Sequence, residues 1–349
     1  MNSRTEILCI GNPLVDVFVE VDYFLAQKYG ITEPVQHIDR KTAEKILKEP
    51  SIDFANAVKS SGGGAANVAK IAAMLGMDAA FSGCVGRDDL AEIFEKEITE
   101  AGVSVILEKS DEKTGLCFAC NVNGETLFAA SPGAALELTD EHISEELIGS
   151  AEVVVLDGYI LDRRPLVQHI LRLASRKGIP VALDVASIMQ VKSKAEEILT
   201  YSRNYPLFVF MNADETIAFF NTVRKTQDED INLPEKEKEA IILRDVCPML
   251  KIITEGEIYP IVVVKLGGRG AIVIAGGNVY REETFTIVPR NTVGAGDAFC
   301  AAFISAWIRD KSLSECAALG NKVAREILEV PGTHIKSGKL KSFAKILQK

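Results

Sequence analysis

Nowhere in these 349 residues does an unbroken apolar run reach the roughly 18 residues that a membrane-spanning helix needs. No membrane span is therefore expected. The start does not look like a secretory signal either. Met1 to Glu6 is polar, and the apolar run from Ile7 to Ile10 is too short for a signal core. Positive charge is also short: 39 Lys and Arg stand against 49 Asp and Glu, a net charge of -10. That balance argues against the broad basic face of a nucleic-acid binder. It leaves room for a small phosphorylated ligand, because a few local donors outweigh the global field. Histidine is rare, and His37, His142, His169 and His334 show no metal-ligand spacing. The seven cysteines are scattered and odd in number, which fits a reducing cytoplasm. Cys117 and Cys120 form a C-x-x-C, but residues three apart in a strand point to opposite faces. No second pair completes a zinc set, so both are expected as small core residues. Internal repeats and low-complexity tracts are missing.

What is present is an ordinary globular balance, with 47% hydrophobic and 25% charged residues. The length suits one large α/β domain with a small appendage, or two modest domains. Short strands are expected at Glu6–Ile10 and Val15–Val21, split by the turn Gly11-Asn12-Pro13. A helix is expected over Lys41–Lys48. Ser60 to Gly64 reads as a loop that opens a helix over Ala65–Leu75, with Gly76 at its C-terminal cap. A strand over Ala79–Val85 leads to a helix over Asp88–Ala101, with Asp88 or Asp89 near its N-cap. Thr114–Val122 and Thr126–Ala130 read as a hairpin around Asn123-Gly124.

After residue 130 the rhythm changes. The apolar runs Val153–Leu156, Val181–Leu183 and Leu207–Met211 are each followed by a helical segment: Pro165–Arg176, Ile188–Tyr201 and Ala213–Val223. Such alternation implies parallel strands with both sheet faces covered. The charged stretch 225–256 interrupts it and reads as a surface insertion with one helix. Strands at Ile261–Val264, Ala271–Ala275 and Val279–Glu283 follow, then helices to Arg309 and over Leu313–Glu329. The early β segments look antiparallel and peripheral, placed to act as a lid over the carboxyl ends of the parallel strands.

The chemistry concentrates in Asn291-Thr292-Val293-Gly294-Ala295-Gly296-Asp297-Ala298-Phe299. A glycine turn opens a small-residue helix, and a carboxylate sits at the join. Helix N-termini with glycine turns suit phosphate. A carboxylate there repels phosphate, but it makes sense as the base that takes the proton from an attacking hydroxyl. Gly294, Ala295 and Gly296 would then stabilise the transferred group through backbone N–H groups. Alone, the segment reads equally as a tight turn with a favourable acidic first-turn residue. A dinucleotide-binding turn is disfavoured, because Phe299 occupies the third glycine position. Two more clusters add weight. Gly62, Gly63 and Gly64 precede Asn67, an amide that can both donate and accept. Asn12 and Asp16 flank the first strand break, and Asp16 could accept both protons of a vicinal diol.

Together these segments resemble the PfkB (ribokinase-like) family of carbohydrate and nucleoside kinases, over roughly residues 6 to 335. Gly62 to Gly86, with Asn67, Gly76 and Gly86 in register, is similar to the family's first signature. Asn291 to Ile304 is similar to its second. The resemblance implies an α/β, ribokinase-like three-layer α/β/α fold with a mainly parallel central sheet. It implies one kinase domain over 1–349, with a small β-sheet lid from about 12–22 and 104–131. It assigns Asp297 as base, Gly294, Ala295 and Gly296 as anion hole, and Asn12, Asp16, Gly62, Gly63 and Asn67 to the acceptor. Asn212-Ala213-Asp214-Glu215 looks like the N-x-x-E motif, with Glu215 holding magnesium through water. Gly267 to Gly270 is similar to the turn that borders the ATP phosphates, and Asn321 matches the adenine wall.

ATP and Mg²⁺ are implied, and a monovalent cation is left open. The implied partner is a small-molecule sugar or nucleoside, with no nucleic acid and no membrane, in a monomer or homodimer. Three departures stand out. Asn291 replaces the usual Asp, Glu125-Thr126 follow the hairpin where sugar kinases often carry an Arg, and Lys265-Leu266 replace a common Thr. Gly11 to Asp16, with Asp22–Leu25 and Lys28-Tyr29, looks like the adenosine kinase branch. Gly62 to Ala69 looks more like bacterial sugar kinases. The acceptor is expected to be a sugar hydroxyl, primary in type, free or within a nucleoside. Phe118 or Phe128 could stack on a nucleobase, though strand aromatics are more often core. Retention of Asp297 with the Asn212/Glu215 pair speaks against a non-catalytic sensor.

Overall fold

Two β-sheets organise the chain. The computed structural model describes residues 5–33, 35–122, 125–226, 233–255, 259–287, 293–329 and 337–347. In chain order the strands are β1 (Thr5–Ile10), β2 (Leu14–Glu20), β3 (Val35–His37), β4 (Val58–Gly62), β5 (Ala79–Val85), β6 (Ser104–Lys109) and β7 (Gly115–Val122). They continue as β8 (Glu125–Ser131), β9 (Ala151–Asp157), β10 (Val181–Asp184), β11 (Leu207–Asn212), β12 (Ile261–Lys265), β13 (Ala271–Ala275) and β14 (Asn278–Glu282). The large sheet runs β14-β13-β12-β11-β10-β9-β1-β5-β6 and the small one β3-β8-β7-β2-β4.

In the large sheet, β12 through β6 are all parallel, and β13 and β14 close one edge as an antiparallel pair. Its strands alternate between two cores, as the two-residue period requires. Ile7, Cys9, Val153, Val155, Phe208 and Phe210 enter one core, under the helices Gly64–Met74, Ala295–Ile308 and Leu313–Leu328. Leu8, Ile10, Val154, Leu156, Val209 and Met211 enter the other, under Arg164–Lys177, Ile188–Asn204 and Ala213–Arg224. The expected three-layer order is therefore present. From β1 the chain first builds outward through β5 and β6, then returns and builds the other way from β9. The order reverses between β1 and β9, and in open α/β sheets ligands gather outside the carboxyl ends at such a point.

Local chemistry accounts for the helix starts. Asp88 caps Asp89–Glu100 by accepting from Ala91 N at 3.1 Å. Asn212 and Glu215 form a reciprocal capping box at Ala213–Arg224. The first glycine-rich helix ends at a Leu75 cap, followed by Gly76 at φ +88°.

Four expectations need correction. Residues 104–109 belong to the large sheet, not to the small one: the helix Asp89–Glu100 carries the chain back to pair β6 parallel to β5. The early strands are not uniformly antiparallel, because β2 pairs parallel to β7 and antiparallel to β4. Ser60 to Gly62 are strand rather than loop, since β2 supplies the ladder for their backbone groups. Finally, the 225–256 stretch is only partly surface. Glu235–Ile241 and Cys247–Thr254 join through a wider helical turn at Ile242–Val246. Ile242, Val246 and Leu250, four apart on one helical face, are buried in the second core. The charge run fills one turn and hides the apolar stripe behind it. The strand β3 and the helix Tyr23–Lys28, capped by Asp22, were not expected.

Candidate active site

Four neighbouring parallel strands end on polar residues: Asp157 on β9, Asp184 on β10, Asn212 on β11 and Lys265 on β12. Register places Asp184 beside Asp157 and Asn212 beside Lys265, and because Asp184 stands opposite Phe210 the second pair lies two residues further along the carboxyl end of the sheet. Lys265 Nζ donates to Asp184 Oδ2 at 2.5 Å, and both side chains are largely buried. Burial works against the Lys265 charge, but the Asp184 and Glu215 carboxylates outweigh it and hold the ammonium above its ordinary range.

The helix Ala295–Ile308 points its N-terminus at these strand ends. Gly294 is its cap at φ +78°, a left-handed turn that suits glycine. Ala298 N–H is the first to bond inside the helix, to Gly294 O at 2.9 Å. The N–H groups of Ala295, Gly296 and Asp297 therefore point out of its end. A Cβ on Gly296 would come within 3.2 Å of Lys265 Nζ, so the turn and the ammonium are in close contact. Asp297 accepts from Asn67 Nδ2 at 2.9 Å, which joins the two glycine-rich helices. Burial pushes its carboxyl up to about 7, helped by the charge of Asp184 and opposed by the Asn67 amide and Lys265.

Two cavities flank this helix end. One, of about 390 Å³, lies between the strand ends and the small sheet and holds Asp16, Asn67, Asp184 and Asp297. The other, of about 430 Å³, lies toward Gly267, Gly268, Gly270, Phe285 and Asn321. Asn212, Lys265 and Gly296 line both, so the cavities meet there.

On the first side, burial pushes Asp16 up to about 6, with the Lys70 ammonium and the Cys117 thiol pulling it back. Gly62 makes this possible: a Cβ there would lie 2.3 Å from Asp16 Oδ2. Gly63 combines a left-handed φ of +100° with close backbone contact: a Cβ would stand 2.2 Å from Asn12 O. Gly63→Ala is thus expected to lower folding stability by about 2–4 kcal/mol, from strained backbone and overpacking. Urea denaturation checks this, and an unchanged midpoint would contradict it.

Most of the expected residues converge here. Asn12 does not line the cavity: its Oδ1 accepts from Arg163 Nη2 at 2.5 Å. Gly62 shapes the site without lining the cavity. On the second side, Asn321 lines the wall and Gly270 packs against β14, where a Cβ would meet Glu282 O at 2.1 Å. Glu239, from the stretch expected as an insertion, accepts from Arg281 Nε at 2.7 Å and also pairs with Arg269 of the glycine turn. Glu215 caps its own helix, taking Asn212 N–H at 2.7 Å, and burial pushes its carboxyl up. Phe118 is fully buried core, whereas Phe128 lines the first cavity. Cys117 and Cys120 are buried free thiols, as the strand pattern predicts. Asn291 lies outside the described residues, as does the Asn123-Gly124 turn.

Asp157, Asp184, Lys265, Lys70 and Tyr159 were missed. The available signal was position: each of the first three directly ends an apolar run of a parallel strand.

A helix N-terminus with a carboxylate, set between two cavities at the switch point, defines a phosphotransferase with a hydroxyl acceptor. The family comparison agrees. The model described as "pfkB family carbohydrate kinase" matches residues 26–339, and the chain belongs to that family. It is 27% identical to adenosine kinase 2 of Arabidopsis thaliana over 93% of this chain and 94% of that one. It is 24% identical to 5-dehydro-2-deoxygluconokinase of Bacillus subtilis over 76% and 80%. The crystal structure of adenosine kinase from Sinorhizobium meliloti superposes with a TM-score of 0.81 at 25% identity, over 98% of this chain and 99% of that one. The fold is ribokinase-like. Among the described residues no helix is long and apolar enough to cross a membrane.

Proposed function

We propose that this kinase transfers the γ-phosphoryl group of ATP to the primary ribose hydroxyl of a nucleoside, with Asp297 as the base. The carrying observation is that Asp297 lines the acceptor cavity and is the residue next to Gly296, where the two cavities meet. Asp16 and Asn67 would hold the ribose diol and present the remaining hydroxyl to Asp297. The first-turn N–H groups of the Ala295 helix would stabilise charge on the transferred group. Gly267 to Gly270 and Asn321 would border the nucleotide. Asn212 and Glu215 form an oxygen-donor set that suits magnesium held through its waters, and the ion would supply charge neutralisation for the phosphates. The small sheet would close over the acceptor and exclude water. Seven buried free thiols support a reducing, cytoplasmic setting.

The nucleoside is favoured by the wall facing Asp16. His37 and Tyr159 meet edge to face, with ring centroids 5.3 Å apart, and Phe128 lines the same cavity. Such a wall suits a planar base, and a free sugar would leave it unmatched. A free sugar remains the second reading, supported by the sugar-kinase relative. An ADP-release screen over ribonucleosides and free sugars decides between them. Ribonucleosides are expected to give a kcat/KM at least tenfold above any free sugar, and the reverse order would replace the first reading by the second.

A further inference from the structure

We propose that Lys265 is a catalytic residue, whose ammonium contacts the phosphoryl oxygens as the group passes between the two cavities. The proposal rests on the kinase reading above. Three residues line both cavities, and of Asn212, Gly296 and Lys265 only the last carries a charge. Its place is set by β12, whose last residue it is, and by Asp184 Oδ2 at 2.5 Å. The ammonium also lies against the glycine turn, 3.2 Å from where a Cβ of Gly296 would sit. Any group presented to the N–H donors of that turn would therefore meet Lys265 as well.

Charge makes the contact necessary. Asp16, Asp157, Asp184, Glu215 and Asp297 all line the acceptor cavity, and a phosphate chain entering among five carboxyl groups is repelled. Among the described residues lining either cavity, the Lys and Arg side chains are Lys265 and Arg325, and Arg325 lies on the nucleotide side alone. An ammonium has three donors, and Asp184 takes one, which leaves donors for phosphoryl oxygens. In the transfer, the acceptor oxygen forms the new bond to phosphorus and its proton goes to Asp297. The bond to the ADP oxygen breaks and its electron pair leaves with ADP. Lys265 stays protonated throughout and gains hydrogen bonds as charge spreads over the oxygens in flight. Asp184 is the positioning residue that aims it.

The test compares Lys265→Met and Lys265→Arg with the wild-type chain. Because Lys265→Met strands the Asp184 carboxylate, the double variant Asp184→Asn/Lys265→Met is measured beside it, with melting temperature as the check on folding. Lys265→Met and the double variant are expected to lose kcat by about 10²–10³-fold, with both KM values within about threefold of wild type. Lys265→Arg is expected to recover at least about tenfold of that loss by restoring the charge. A second readout needs no acceptor. Affinity for ADP with aluminium fluoride, a mimic of the phosphoryl in flight, should fall at least about tenfold in Lys265→Met while affinity for ADP alone holds. A well-folded double variant with kcat within tenfold of wild type would show a structural pair and overturn the proposal. So would equal losses of ADP and ADP–aluminium fluoride binding. Wild-type protein that bound neither ADP nor ATP would overturn the kinase reading, and this inference with it.

Discussion

Asp297→Asn is expected to lower kcat by about a thousandfold while ATP binds as it does to the wild-type chain. The substitution keeps the shape and leaves an oxygen to accept from Asn67 Nδ2, so the join between the two glycine helices survives. What disappears is the lone pair that accepts the hydroxyl proton. The nucleotide is held by backbone donors and by the wall around Gly267 and Asn321, none of which the change touches. Steady-state kcat with an ATP titration by calorimetry separates the two effects, and turnover near the wild-type rate would remove Asp297 as base. A pH profile adds an independent check. Burial pushes the Asp297 carboxyl up to about 7. Only the ionised form is a base, so kcat/KM should rise with pH through about 7 and level off above it. In Asp297→Asn the residual rate should no longer follow that ionisation.

The parts of this site that are legible in the sequence are those set by the local chain. Glycines at 62–64 and at 294 and 296 announce turns at helix starts, because only close backbone approach or a left-handed turn requires them there. The Asn212/Glu215 spacing is that of a capping box, and it reads so in the structure. The parts that do not read are set by pairing between distant strands. Val153–Leu156 and Val181–Leu183 are visible as apolar runs, yet nothing local says that the next residues, Asp157 and Asp184, stand side by side or that Asp184 meets Lys265. That juxtaposition comes from a parallel register that links residues far apart. The same cause hid β3 and β4, short strands that owe their ladders to β8 and β2 rather than to their own composition. It also explains the apolar stripe Ile242, Val246 and Leu250, which the neighbouring charge run masked until the second core claimed it. Asn12 is the opposite case: its type and place suited the acceptor, but its amide oxygen accepts from the half-buried guanidinium of Arg163, a partner distant in sequence.

Asp16→Asn is expected to raise the KM for the acceptor about a hundredfold, with kcat at saturation changed far less. A carboxylate that accepts two hydroxyl protons makes two charge-assisted hydrogen bonds, each contributing about 1.5–3 kcal/mol. The amide keeps one weaker acceptor and turns a donor toward the other hydroxyl, so about 3 kcal/mol of acceptor binding is lost, or roughly two decades in affinity. The fold should not suffer. Burial pushes the Asp16 carboxyl up to about 6, so ionising it at neutral pH disfavours the folded chain. Removing that charge should therefore leave the melting temperature unchanged or raise it at pH 7. Below about pH 4, where Asp16 is protonated in both folded and unfolded chains, the gain should vanish. A residue kept at a cost in stability and released at a cost in acceptor affinity is one held for binding. A lower melting temperature together with an unchanged acceptor KM would assign Asp16 to the packing of β2 against β4 instead.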